Sequence, residues 1–320
     1  MTGASRRFPT WLVGLAILGV VVWFTGPGPF VAGVRALDAS TLALGAGLAV
    51  PITCACAWRW HLVAQGLGVP VPPTTALASC YRAQFLNTVL PGGVLGDVHR
   101  GVHHGRSAGH TGLGVRAVVW ERAAGQLVLA LVTLAALVLA PSPWRGSAPW
   151  LLGALLLGTL VVGMALRLPR CRRARASRWA HVLRDDVRRG LLARAAWPGV
   201  VVASLLAVAG HVTTYLVAAR AVGVTTATVT LLPIALVVLV AAGLPTNVAG
   251  WGPREGAAAW TSGVAGLGVD QGVATAVAYG AMVAVASLPG AVVLVLGAAR
   301  SGTRSPASRT PVAAESRAHG

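Results

Sequence analysis

Two short strings hold the residues most capable of chemistry. Leu90-Pro91-Gly92-Gly93-Val94-Leu95-Gly96-Asp97-Val98-His99-Arg100-Gly101 returns, altered, as Leu244-Pro245-Thr246-Asn247-Val248-Ala249-Gly250-Trp251-Gly252-Pro253-Arg254-Glu255-Gly256. Both read L-P-x-x-V-x-G-x-x-x-R, and they lie 154 residues apart. Each sets an Arg and a carboxylate into backbone too rich in Gly and Pro to continue a helix. The chemistry this suits is anion binding. Gly252-Pro253-Arg254-Glu255 reads as a helix start, with Gly252 as N-cap, Pro253 at the first helical position and Glu255 in the first turn against the dipole. Gly96-Asp97 can open a helix through His99–Gly105 in the same way. Free N–H groups at two such starts, reinforced by Arg100 and Arg254, would hold a phosphate. The simpler alternative is that Asp97 and Glu255 cap helices while the Arg residues pair with them or snorkel. Gly92, Gly93 and Gly250 complete the candidate set by letting backbone approach a ligand.

Other residues are candidates through where they fall. Thr74–Val89 is apolar yet contains Cys80, Tyr81, Arg82, Gln84 and Asn87. An Arg at the bilayer centre costs about 2.5–3.5 kcal/mol even on the lenient insertion scale, so these groups are expected to face a cavity, Arg82 and Asn87 among them. Glu121 opens a later apolar run. It is expected to pair with Arg82 or Arg100, to serve as a protonatable site, or to meet water at the interface. His99 and His103 are four apart, but no further ligands match, so neither a metal nor any other cofactor is expected. Cys54, Cys56, Cys80 and Cys171 read as small packing residues with free thiols. Trp251 and Trp260 read as markers of the outer membrane interface.

The elements that must position these residues are membrane helices. Of 320 residues, 55% are hydrophobic and only 11% charged, and the mean hydropathy is +0.72. That composition describes a polytopic membrane protein and excludes a separate soluble core. The net charge of +18 comes wholly from Arg. These Arg residues crowd between apolar runs, where they set topology and meet anionic headgroups, so nucleic acid is not an expected partner.

Apolar spans are expected at Trp11–Phe24, Thr41–Leu62, Ala117–Leu139, Trp150–Leu166, Trp197–Ala219 and Val273–Leu296. Arg167–Arg194 holds ten Arg against two Asp, which marks it as cytoplasmic. Parity then favours a re-entrant dip at 74–101 over a crossing, and a second dip at 229–256 from the opposite face. Sorted this way, 22 Arg lie inside and four outside. An eight-span arrangement with both termini outside is the alternative, and it exposes the six terminal Arg.

The expected fold is therefore all-α, with about six spanning helices and two re-entrant broken hairpins in an inverted repeat. Its parts are a first helix and outer loop (1–40), a first membrane repeat (41–166), a basic cytoplasmic loop (167–196), a second repeat (197–299) and a disordered basic cytoplasmic tail (300–320). Matched Gly/Pro-interrupted segments in two halves of a chain are the sequence pointer to a transport site near the midplane.

The string Phe85-Leu86-Asn87-Thr88-Val89-Leu90-Pro91-Gly92-Gly93-Val94-Leu95-Gly96-Asp97, then Arg100, then Glu121-Arg122-Ala123-Ala124-Gly125, resembles the transmembrane region of lysylphosphatidylglycerol synthases. Gly250-Trp251-Gly252-Pro253-Arg254-Glu255-Gly256 is similar to that family's Pro/Gly-rich R-E-G motif. The second motif departs from it in having Thr246-Asn247 where small residues are expected. The Arg distribution is expected to put both termini in the cytoplasm, and the resemblance implies a bacterial plasma-membrane protein. It also implies a flippase-like role in moving an anionic phospholipid or a polyprenyl-phosphate-linked lipid, rather than an enzyme. The alternative is a non-transporting subunit that presents lipid to a separate synthase or glycosyltransferase. Two-domain members carry a soluble aminoacyl-transferase domain after the membrane part. A chain that continues only as Ser301–Gly320 is expected to lack that transfer activity.

Overall fold

In the computed structural model, residues 11–139, 182–191 and 193–302 are described. The fourth expected span, Trp150–Leu166, most of the ten-Arg loop and the tail beyond residue 302 lie outside them.

Helix α1 (Trp11–Thr25) is apolar throughout and stops at Gly26-Pro27-Gly28-Pro29. Pro29 lies within the first turn of α2 (Gly28–Arg35), which turns 96° away from α1. Sequence reading makes 25–40 an outer loop. Instead, the Gly-Pro repeat breaks one helix and starts another, because Pro fits a first turn without losing a hydrogen bond while two Gly-Pro steps in succession weaken a continuing helix. Helix α3 (Ala39–Gly66) is capped by Asp38, whose carboxylate accepts the Thr41 N–H at 2.8 Å and the Ser40 hydroxyl at 2.8 Å. These hydrogen bonds, that with Thr41 first, hold the exposed Asp38 carboxyl down at about 2.

Helix α4 (Pro73–Val89) ends where Pro91 enforces an extended Leu90. Gly92 and Gly93 then take φ of 91° and 60° and reverse the chain into α5 (Leu95–Ser107). Helix α6 (Thr111–Leu139) follows. After the undescribed segment come a short π-helical turn at Val187–Leu191 and then α7 (Trp197–Ala221), α8 (Thr228–Ala242), α9 (Pro253–Val264) and α10 (Val269–Gly302).

Among the described residues, four helices are long and apolar enough to cross a membrane, or up to five if the bent pair α1–α2 counts as one span. The chain is thus an all-helical, multi-pass membrane protein. The four coincide with the expected spans at Thr41–Leu62, Ala117–Leu139, Trp197–Ala219 and Val273–Leu296; α1 covers the expected Trp11–Phe24, and Trp150–Leu166 lies outside the described residues.

The packing follows a regular scheme. Helix α3 packs on α7; α4 on α10, as α6 on α8; α5 on α6, as α9 on α10; α4 on α5, as α8 on α9. The pairs α3–α4 and α7–α8, α3–α10 and α6–α7, and α3–α6 and α7–α10 match likewise. Every packed pair between α3 and α10 therefore has a counterpart when α3–α6 are exchanged with α7–α10. Small residues bring these helices close, as apolar packing inside lipid requires. A Cβ on Gly290 would run into the Tyr81 carbonyl, and one on Gly210 into Ile52. The described part of the basic loop is tied down by Asp186, which receives Arg116 and the Trp120 indole N–H at 3.0 Å.

Candidate functional site

Helix α4 turns Cys80, Gln84 and Asn87 to one side, three or four residues apart, as a helix face demands. That side forms a wall of a cavity of about 590 Å³. Arg82 falls on a different face. Among the described residues it meets only the Ser79 hydroxyl at 3.4 Å and its Nε finds no partner, and it is not among the residues lining the cavity. The expectation that Arg82 lines the cavity is therefore corrected by helix geometry.

The first Leu-Pro motif feeds a chain of buried ion pairs. Glu121, 1% exposed, accepts Arg59 through Nε at 2.9 Å and Nη2 at 2.5 Å, and Arg100 Nη2 at 2.6 Å. Arg100 Nε donates to Asp97 at 2.9 Å, its Nη1 approaches the Cys80 sulfur at 3.4 Å, and its guanidinium lies 4.8 Å above the Trp60 ring. Asp97 also accepts Asn87 Nδ2 at 2.8 Å and Arg122 Nη2. The order is thus Arg59, Glu121, Arg100, Asp97, Arg122, with charges alternating. Of the expected partners of Glu121, Arg100 is the one found. Asp97 does not cap a helix: α5 begins at Leu95, and the Gly96 N–H is satisfied by Asn87 Oδ1 at 2.8 Å. Gly96 is glycine because a Cβ there would strike the backbone of Ala83.

The second motif builds a smaller unit. Gly252, at φ 112°, is the N-cap of α9 with Pro253 first in the helix, as its sequence indicates. Glu255 Oε2 accepts the Gly252 N–H at 2.7 Å, and its Oε1 accepts Arg254 Nε at 2.8 Å and Nη2 at 2.5 Å. The Arg254 guanidinium lies 5.3 Å from the Trp251 ring centroid and 5.8 Å from that of Tyr279. It lies flat against Gly280, where a Cβ would displace it. Both helix starts thus already carry acceptors of the protein itself. Trp251 is half-buried and lines the cavity, stacking on Phe30 at 6.4 Å. Trp260 is exposed.

The two motifs touch. The Gly92 N–H donates to the Asn247 carbonyl at 2.9 Å, and Pro91 and Val248 form an antiparallel bridge. Asn247, the departure from small residues, braces this junction: its side chain donates to the Leu244 carbonyl at 3.2 Å, accepts the Gly250 N–H at 3.2 Å and packs against Gly93.

The junction borders the same cavity as the ion-pair chain. Of the candidate residues, Asn87, Gly93, Asp97, Arg100, Glu121, Gly250 and Arg254 line it, whereas Arg82, Gly92, Gly96, Gly252 and Glu255 do not. Arg59, Arg122, Gln126, His211, Asn247 and Tyr279 also line it, and sequence reading did not place them there. Arg59 sits between Trp58 and Trp60 and reads as interfacial. Its burial is betrayed only by Gly125, one turn after Glu121, which leaves room for the guanidinium. Apolar walls come from Ile52, Leu129, Val208, Leu239 and Met282.

The family model of the lysylphosphatidylglycerol synthase transmembrane region matches residues 11–290. The chain belongs to that family. No curated protein and no solved structure matches it. The match spans both motifs, the helices between them and every cavity residue named above. A lysylphosphatidylglycerol synthase transmembrane region is a membrane unit linked to lipid handling, and the cavity combines what a lipid presents, an apolar body and a charged end. The His99 and His103 rings stack at 6.0 Å on α5, and neither lines the cavity. The described residues contain no cluster of His, Cys, Asp and Glu suited to a metal ion.

Proposed function

We propose that this chain is a flippase-like transporter that carries an anionic phospholipid, or a polyprenyl-phosphate-linked lipid, between the leaflets of the plasma membrane. It works by moving lipid and not by transforming it. One observation carries the reading. A single cavity takes Arg100 from the first motif and Arg254 from the second, among apolar walls and beside the junction of the two. Backbone that leaves the helix at membrane depth is tolerated only where it is buried in protein or lines a cavity, and both motifs meet that condition.

The paired packing of α3–α6 and α7–α10 supports an internal repeat. With six crossings, two dips from opposite faces and both termini in the cytoplasm, the repeat is inverted, and substrate belongs where the broken segments meet. Rocking of one half against the other alternates access. Asp97, Glu121 and Glu255 hold the Arg side chains when lipid is absent.

The test is translocation of a fluorescent phosphatidylglycerol in proteoliposomes. Wild-type protein is expected to speed its loss from the outer leaflet, and Arg100→Ala and Arg254→Ala to slow it at least tenfold. Variants as fast as wild type, in folded protein, contradict the proposal. Vesicles no faster than protein-free ones, with a synthase co-purifying, support the lipid-presenting subunit instead.

A further inference from the structure

The two broken hairpins are not equally covered. Helix α1 lies directly against the second. A Cβ on Gly14 would strike the Thr246 carbonyl, and Cβ atoms on Gly252 and Gly256 would strike the Gly14 carbonyl and Ile17. Aligned on their Leu-Pro pairs, the two motifs set Gly252 and Gly256 of α9 against Val98 and Val102 of α5. Among the described residues, α5 packs chiefly on α4 and α6. Its Val94, Leu95 and Val98 remain exposed, Val98 to 49%, and so does Pro91 in the break itself. Apolar side chains facing lipid need no cover. Broken backbone beside them does, because at membrane depth it must be buried in protein or line a cavity.

Chain order points to what supplies that cover. Helix α2 follows α1, folds onto the start of α10 through Gly33 against Ala274 and Val277, and leads into α3. In the other half, residues 182–191 are fixed to the start of α6 by Asp186 with Arg116 and Trp120, and lead into α7. The short piece before each long helix thus docks on the other half in the same place. The pairing of α3–α6 with α7–α10 is thereby extended by one element. Helix α1 still needs a counterpart, and its place in the second half falls within residues 140–181.

The length and ends of that stretch require a crossing. Helix α6 is long and apolar enough to span the membrane, and its end at Leu139 lies about 28 Å along the axis from Trp120. Asp186 is bonded at Trp120. The chain between Leu139 and Asp186 therefore leaves one side of the membrane and returns to the other. Within it, Trp150–Leu166 is the one apolar run without a charge. As a helix it would be about 25 Å long, at the short end of what crosses a bilayer.

We infer that Trp150–Leu166 crosses the membrane against the outer face of α5, seated on Leu95, Val98 and Val102, and covers the first broken segment as α1 covers the second. The repeating unit is then six elements rather than four. Gly252 and Gly256 admit α1 at backbone contact, whereas Val98 and Val102 hold their partner a side chain further off. The docking stands on the paired packing and the chain connectivity, not on what the cavity carries.

Site-directed photocross-linking of the full chain in its membranes tests the docking. Val98→p-benzoylphenylalanine and, separately, Leu95→p-benzoylphenylalanine are irradiated, and the cross-linked peptides are mapped by mass spectrometry. Both side chains are exposed, so neither replacement disturbs the described packing. At one or both positions the dominant product is expected to be intramolecular and to end within residues 150–166. The same reagent at Trp260, which borders a groove shared with Val13, Ala16 and Ile17, should attach to residues 11–25. Lipid adducts alone or no adduct at both α5 positions, attachment to any other segment, or a cross-linked pair of copies overturns the inference. Lipid translocation is a separate readout, so any of these results leaves the lipid-carrying reading standing.

Discussion

At the scale of the residue, the cavity is governed by how charge is shared among buried groups. Glu121 accepts two guanidinium groups at once, so its removal leaves both Arg59 and Arg100 without their shared charge. Breaking a buried ion pair by removing one partner costs about 3–5 kcal/mol, far more than an exposed pair is worth. Glu121→Gln is therefore expected to lower the melting temperature in detergent strongly, whereas Arg122→Gln, at the exposed end, lowers it little. Equal melting of wild type and Glu121→Gln contradicts the ion-pair chain. That Glu121 could pair with an Arg of the broken segment was legible in the sequence, with Arg82 and Arg100 as alternatives, because an Arg and a Glu in lipid both need a partner; only the placed helices single out Arg100. The role of Arg59 was not legible, because Trp58-Arg59-Trp60 has the same composition as an interfacial belt. What separates the two cases is Gly125, whose missing side chain has meaning only once α3 and α6 are placed together.

At the scale of the element, the decisive features are the breaks. Pro91 and Pro253 were sufficient to place one helix end and one helix start, since Pro fixes its own φ and restricts the residue before it. The contact between the two motifs could not be read in the same way, because it joins backbone groups that any residue carries. Pro91 and Val248 sit opposite one another across an antiparallel bridge, a spacing of about 4.5–5.5 Å between Cα atoms that falls within disulfide range. Pro91→Cys with Val248→Cys is expected to cross-link under mild oxidant and to stop lipid translocation until it is reduced. Unchanged translocation by the cross-linked protein shows that the junction need not open. The packing of α4 on α10 is equally specific. Gly290 faces the Tyr81 carbonyl without space for a Cβ, and overpacking of this kind costs about 1–3 kcal/mol. Gly290→Ala should lower the melting temperature measurably, and an unchanged value contradicts that close approach.

At the scale of the whole molecule, composition was enough for the membrane class, and the repeated motif was enough to suggest two halves. The bent pair α1–α2 was missed because an apolar run followed by Gly-Pro-Gly-Pro reads as a span and a loop. Only the packing of Gly33 against Ala274 and Val277 shows that the second piece folds back onto α10. The proposed inversion of the halves makes a prediction that needs no lipid. A single Cys at His103 should react with an impermeant maleimide only from the cytoplasmic side, and one at Gly268 only from outside. Both reacting from one side contradicts dips from opposite faces.

The central claim is that the cavity shared by the two motifs is where the lipid headgroup resides, and photolabelling tests it most directly. A phosphatidylglycerol with a diazirine on its headgroup is incorporated into membranes containing the protein, irradiated, and its attachment sites are mapped by mass spectrometry. Labels on cavity residues from both halves, Gln126 and His211 foremost, are expected. Labels confined to outward-facing residues such as Val138 and Val292 would contradict it.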